Sequence, residues 1–129
     1  MTEVTDWDKY PNFSEKEFRC SHTGLCEMQE EFMDILQTIR TEYGKPMTVS
    51  SGYRHPTHPV EARKERAGEH SQGMCADISV RGKDALELLT IALRLGVKRV
   101  GVQQKGSGRF LHLGIGESDY FPTPHIWSY

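Results

Sequence analysis

Two short stretches, Cys75-Ala-Asp-Ile-Ser-Val80 and Arg109-Phe-Leu-His-Leu-Gly-Ile115, change character with a period of two. That is the period of a strand, whose successive side chains leave opposite faces. Ala76, Ile78 and Val80 share one face, with Asp77 and Ser79 on the other; Leu111, Leu113 and Ile115 likewise oppose Phe110, His112 and Gly114. A chain built on these strands buries one sheet face. The other, carrying a carboxylate and an imidazole, is left for a groove. His70 stands just ahead of the first stretch. Two neutral imidazoles and a carboxylate (His70, Asp77, His112) make a three-ligand set for zinc with the fourth position open to water, the arrangement of a catalytic rather than a structural zinc. Singly, Asp77 reads as a backbone cap and His112 as a satisfied surface imidazole. Together, at these parities, they read as metal ligands.

The rest of the chain supplies what such a sheet needs. Ser14 followed by Glu17 marks a capped short turn. Met28, Phe32, Ile35, Leu36 and Ile39 fall on one face of a helix ended by Gly44, and Ala85, Leu88, Leu89, Ala92 and Leu93 on one face of a second, closed by Gly96. Met47–Ser50 and Val97–Gln103 read as further strands, the latter joined to the His112 strand by the turn Lys105-Gly-Ser-Gly108. Residues 55–69 read as an irregular excursion with one helical turn between Pro59 and Arg66. The expected architecture is α+β: a small, mostly antiparallel sheet, helices on one side and the metal site on the other. A chain of 129 residues has room for one core. Residues 1–12 are expected as an N-terminal extension and residues 13–129 as the single domain, working as a monomer.

The 16 basic and 18 acidic residues nearly cancel, so no basic face for nucleic acid is expected. No apolar run approaches the roughly 18 residues of a membrane span, and Met1–Asp8 is acidic rather than signal-like. The chain is thus expected to be cytoplasmic as made, with delivery by something else if its target lies outside. Cys20, Cys26 and Cys75 are an odd number at no disulfide-framework spacing and read as reduced thiols. Cys20, His22 and Cys26 suggest a small metal clip, but a fourth ligand is missing nearby, and the expectation is that they bind nothing.

Ser51-Gly-Tyr-Arg54 ends a strand ahead of the ligands. A guanidinium there is suited to gripping a carboxylate through a bidentate pair; without a metal nearby, Arg54 reads as an ordinary surface residue. Taken in order, Ser51-Gly-Tyr-Arg54, His70-x₂-Gly73-x-Cys-Ala76-Asp77-Ile78, Phe110-Leu-His112-Leu and Trp127-Ser-Tyr129 resemble the zinc D-alanyl-D-alanine carboxypeptidases, a group that includes phage endolysins cutting the L-alanyl-D-glutamate bond of peptidoglycan. Phe13-Ser-Glu-x-Glu-Phe18 and Gly44-Lys-Pro-Met-Thr-Val49 resemble the compact, single-domain branch, so the likeness runs over about residues 13–129.

The resemblance implies zinc held by His70, Asp77 and His112, with Arg54, and Ser51 beside it, holding a carboxylate or carbonyl of a peptidoglycan stem peptide. It also exposes a departure. Compact relatives commonly read His-x-Asp on the last ligand strand, where this chain reads His112-Leu-Gly114, and Phe110 and Arg109 supply no acid or base either. Glu69, Glu117, Asp119 and His125 remain as candidates for the proton shuttle, and Gly114→Asp is expected to raise hydrolysis. Three classes of function follow. One is a zinc peptidase of peptidoglycan stem peptides, as in phage lysis or a virion. The alternative is a non-catalytic zinc-containing cell-wall-binding module that has lost its base. The third is a structural zinc domain of a larger assembly.

Overall fold

The computed structural model describes residues 1–116 and 121–129. Its sheet has five strands, β1 (Thr48–Ser51), β2 (Cys75–Ser79), β3 (Arg99–Gln103), β4 (Phe110–Gly114) and β5 (His125–Ser128), in the order β1-β2-β4-β3-β5. All neighbours are antiparallel except β3 and β5, which run parallel. The α+β architecture is the expected one. The alternation of β2 and β4 is also as read: Ala76, Ile78, Leu111 and Leu113 belong to the hydrophobic core, and Asp77 pairs across the strands with His112.

Two long helices cover the core face. The first ten-residue-scale apolar pattern becomes α2 (Glu30–Tyr43), after the single turn α1 (Glu15–Phe18) that Ser14 and Glu17 close with a reciprocal capping box. Glu30 and Glu31 sit in the first turn of α2, where carboxylates complement the helix dipole, and Gly44 ends it in the left-handed conformation. Phe32, Met33, Leu36 and Ile39 point inward with no exposure to solvent. The turn α3 (Pro59–Ala62) precedes the site, and α4 (Gly82–Arg94) packs on α2, burying Ala85, Leu88 and Ala92. Leu36→Ala is expected to cost about 2–5 kcal/mol, the usual range for emptying a fully buried leucine site, measured as a shift in the urea midpoint at constant slope.

Two features lie outside the sequence reading. Residues 1–12 are tied to the body: Val4 and Tyr10 are buried in the core, the Val4 amide donates to the Met28 carbonyl, and the Tyr10 hydroxyl bonds Asp34 at 2.7 Å. The strand β5 has no period-two apolar signal, and it forms because the free edge of β3 accepts it. It places Trp127 opposite Gly101, where a Cβ would approach the indole to 2.7 Å. Ser51, Asp77, His112, Gly101 and Trp127 therefore make one row across all five strands.

Candidate metal centre and its cavity

His70 comes to this row from a 3₁₀ turn, Glu69–Gln72, between α3 and β2. The turn is stitched to the end of β1, with the Arg54 amide donating to the His70 carbonyl at 3.1 Å and the His70 Nδ1 lying 2.7 Å from the Gly52 carbonyl. A carbonyl can only accept, so Nδ1 carries the proton and the Nε2 lone pair is turned inward. It faces Asp77 Oδ1 at 3.4 Å, and His112 Nδ1 faces the same oxygen at 3.0 Å. The two imidazoles stand nearly perpendicular, with centroids 5.0 Å apart. All three side chains are buried.

Burial pushes the His70 imidazole below its usual pKa, which keeps it neutral. Burial opposes ionisation of Asp77 as well, but the hydrogen bond from the adjoining His112 imidazole outweighs it and holds the carboxyl far below the usual range. A neutral Nε2 lone pair aimed at a carboxylate oxygen is two acceptors face to face, an arrangement that a bound cation would resolve. His112 is pushed down by burial and raised by more than that by Asp77 and Glu69, which lie on its two nitrogens. The donor set therefore fits a zinc ion: hard and borderline nitrogen and oxygen ligands, converging, with each imidazole's far nitrogen held by an acceptor.

Cys75, which the sequence reading treated only as a thiol, shares the ligand face two residues before Asp77, and its sulfur lies with ligand atoms of His70 and His112 within a 4.8 Å cluster. Burial raises this thiol well above its usual pKa. Beside it, Asp77 offers an ionised oxygen donor, its Oδ1 lying 3.4 Å from His70 Nε2 and 3.0 Å from His112 Nδ1. Among the described residues Cys20, His22 and Cys26 form no such cluster; Cys20 is buried and its sulfur accepts from the His55 amide at 3.3 Å.

The centre opens into a cavity of about 570 Å³. His70 and His112 form its floor, Arg54 and Lys64 a cationic wall, and Trp127 and Tyr129 an aromatic one. Arg54 is largely buried. Its Nη1 is 3.5 Å from Glu61, its Nη2 is 3.9 Å from Asp77, and its Nε has no hydrogen-bond partner. Glu61 is itself buried, bonded by the Gly68 amide at 2.6 Å and by Lys64. Ser51 stands opposite Asp77 in register and is not among the described residues lining the cavity.

Of the candidate proton carriers, Glu117 and Asp119 lie outside the described residues. His125 is exposed on β5 and stacks on Trp127 with ring centroids 5.7 Å apart. Glu69 is buried, and its carboxylate accepts three hydrogen bonds: Oε1 takes His112 Nε2 at 2.6 Å and Arg99 Nε at 3.2 Å, and Oε2 takes the Gly116 amide at 2.7 Å. The expectation for Gly114 needs correction. A Cβ at this position would fall inside the Glu69 carboxylate. The glycine is therefore not a vacancy awaiting an acid, because another residue's acid already fills the space.

With this geometry in place, comparison with known proteins adds one decisive observation: a family model, peptidase M15, matches residues 11–114. The chain belongs to the peptidase M15 family. The match takes in Arg54, His70, Asp77 and His112 and ends before β5. M15 peptidases are zinc-dependent metallopeptidases, and the chain is in general terms one of them. No curated protein matches the chain.

Proposed function

We propose that this M15 chain is a zinc peptidase acting on peptidoglycan stem peptides, with zinc held by His70, Asp77 and His112. The observation that carries the reading is the convergence of His70 Nε2 and His112 Nδ1 on one oxygen of Asp77, at the floor of a cavity walled by Arg54. Zinc, when bound, supplies Lewis acidity for a scissile carbonyl and lowers the pKa of a water toward about 7. The protein's own groups do the rest. Arg54, which lines the cavity with Lys64 alongside, would hold a carboxylate of the stem peptide. Trp127 and Tyr129 offer an apolar wall that excludes water from the bound peptide.

In this reading the chain acts on the wall as a phage lysis or virion component. The test is incubation with purified peptidoglycan and mass spectrometry of the fragments, which identifies the bond cut as well as the activity. A second reading has one observation in its favour. Glu69 is the one carboxylate lining the cavity among the described residues, and it is already bonded to His112, Arg99 and the Gly116 amide. Release of no fragments, with retained binding to sacculi, would make the chain a wall-binding module.

Arg54→Lys separates substrate binding from metal binding. An ammonium cannot reproduce the planar fork of a guanidinium, so turnover is expected to fall at least tenfold while zinc content and melting temperature hold. Unchanged turnover would remove Arg54 from substrate recognition.

A further inference from the structure

The geometry points to Glu69 as a positioning residue of the metal site: its carboxylate holds His112 by Nε2, so that Nδ1 faces Asp77 and His70, and Gly114 and Gly116 are glycine to make room for it. This rests on the proposed metal role of His112. Three observations carry it. The first is the bond itself, 2.6 Å between Glu69 Oε1 and His112 Nε2, with both groups buried. An imidazole whose Nε2–H is given to a carboxylate has its ring orientation and tautomer set, leaving Nδ1 as the ligand nitrogen.

The second is the shape of the space around that carboxylate. A Cβ at Gly114 would occupy it, and one at Gly116 would come within 2.9 Å of the Glu69 side chain. Neither glycine has a positive φ, so the backbone conformation does not call for glycine at either position. The close approach of Glu69 does.

The third is how the carboxylate is itself held. The Gly116 amide takes Oε2 at 2.7 Å, and Arg99 takes Oε1 at 3.2 Å. Arg99 in turn donates to the Pro122 carbonyl at 2.6 Å and lies over the rings of Trp127 and Phe121, at 5.0 and 5.2 Å. The C-terminal strand and the inner face of the site are thus tied to one guanidinium. The chain from β5 through Arg99 and Glu69 to His112 ends on the nitrogen opposite the one that faces Asp77.

The experiment is a chelator-competition measurement of zinc affinity on purified wild-type protein, Glu69→Ala and Glu69→Gln, each shown folded by circular dichroism at the assay temperature. Glu69→Ala is expected to bind zinc about 10–100-fold more weakly, the usual effect of losing such an outer partner. Glu69→Gln, whose carbonyl still accepts from Nε2–H, is expected to fall between it and wild type. A purely structural role would lower the melting temperature of the metal-free protein and leave the zinc affinity of the folded chain alone. Zinc affinity of Glu69→Ala within twofold of wild type overturns the inference, as does Glu69→Gln binding no better than Glu69→Ala. Should Glu69→Ala not fold, wild-type affinity in Glu69→Gln overturns it equally. If wild-type protein itself binds no zinc, the proposed metal site falls, and this inference with it.

Discussion

His112→Ala is expected to bind no stoichiometric zinc and to be markedly less stable even without metal. Two effects add. Zinc that binds only the folded chain stabilises it by mass action, about 2.7 kcal/mol at a hundredfold excess over the dissociation constant, and that gain disappears with the ligand. Separately, the imidazole lies between the buried carboxylates of Asp77 and Glu69. Deleting it leaves both without their shared partner, and breaking such a buried pair by removing one member costs about 3–5 kcal/mol. Arg99 and Arg54 remain near Glu69 and Asp77 and offset part of this. Elemental analysis reports the first effect. Chemical denaturation in the presence of a chelator reports the second, because it compares metal-free proteins. Full zinc occupancy in the variant would remove His112 from the site. Unaltered metal-free stability would mean that the His112 hydrogen bonds contribute nothing net.

Gly114→Asp is expected to damage the site, the reverse of what the sequence suggests. Read along the strand, an aspartate two residues after His112 restores an acid to the ligand face and should raise hydrolysis by about 10²–10⁴-fold. In the folded protein the new side chain enters the space of the Glu69 carboxylate. Overpacking alone costs about 1–3 kcal/mol, and a second carboxylate against the first adds repulsion in a buried setting. Glu69 must leave its place, and His112 loses the partner of its Nε2. Gly114→Asp should therefore lower the melting temperature and weaken zinc binding. The double variant Glu69→Ala/Gly114→Asp should recover part of both, since the clash is gone and an acid is again near His112. Additive losses in the double variant would show that the two positions do not share that space.

How much of this was legible in the sequence depends on whether the information is local. The sheet faces of β2 and β4 were readable because alternation is a property of the extended backbone, whatever the strand pairs with. That placed Asp77 and His112 on one face, and the structure pairs them directly. The buried faces of α2 and α4 were readable for the same reason at a period of 3.6. The capping box at Ser14 and Glu17 is a contact between residues three apart and needed no fold. The strand β5 was not readable: four residues of mixed polarity make a strand only beside an edge that accepts them. The packing of residues 1–12 was missed similarly, since Val4 and Tyr10 are spaced like nothing periodic and find their partners on α2 and its approach.

The sequence by itself determined the fold class, the two long helices, and the gathering of imidazole and carboxylate on the face away from the core, because each follows from a short-range backbone period. Only the tertiary structure decided what surrounds those groups. Glu69 and His112 are separated by 43 positions, yet their side chains meet, and Arg99 and Trp127 join them from other strands. Such meetings depend on the strand order β1-β2-β4-β3-β5, which no local pattern encodes. The reason that residue 114 is glycine belongs to the same class. Along the chain it looks like a missing acid, and in space it is the clearance for an acid supplied from a different turn.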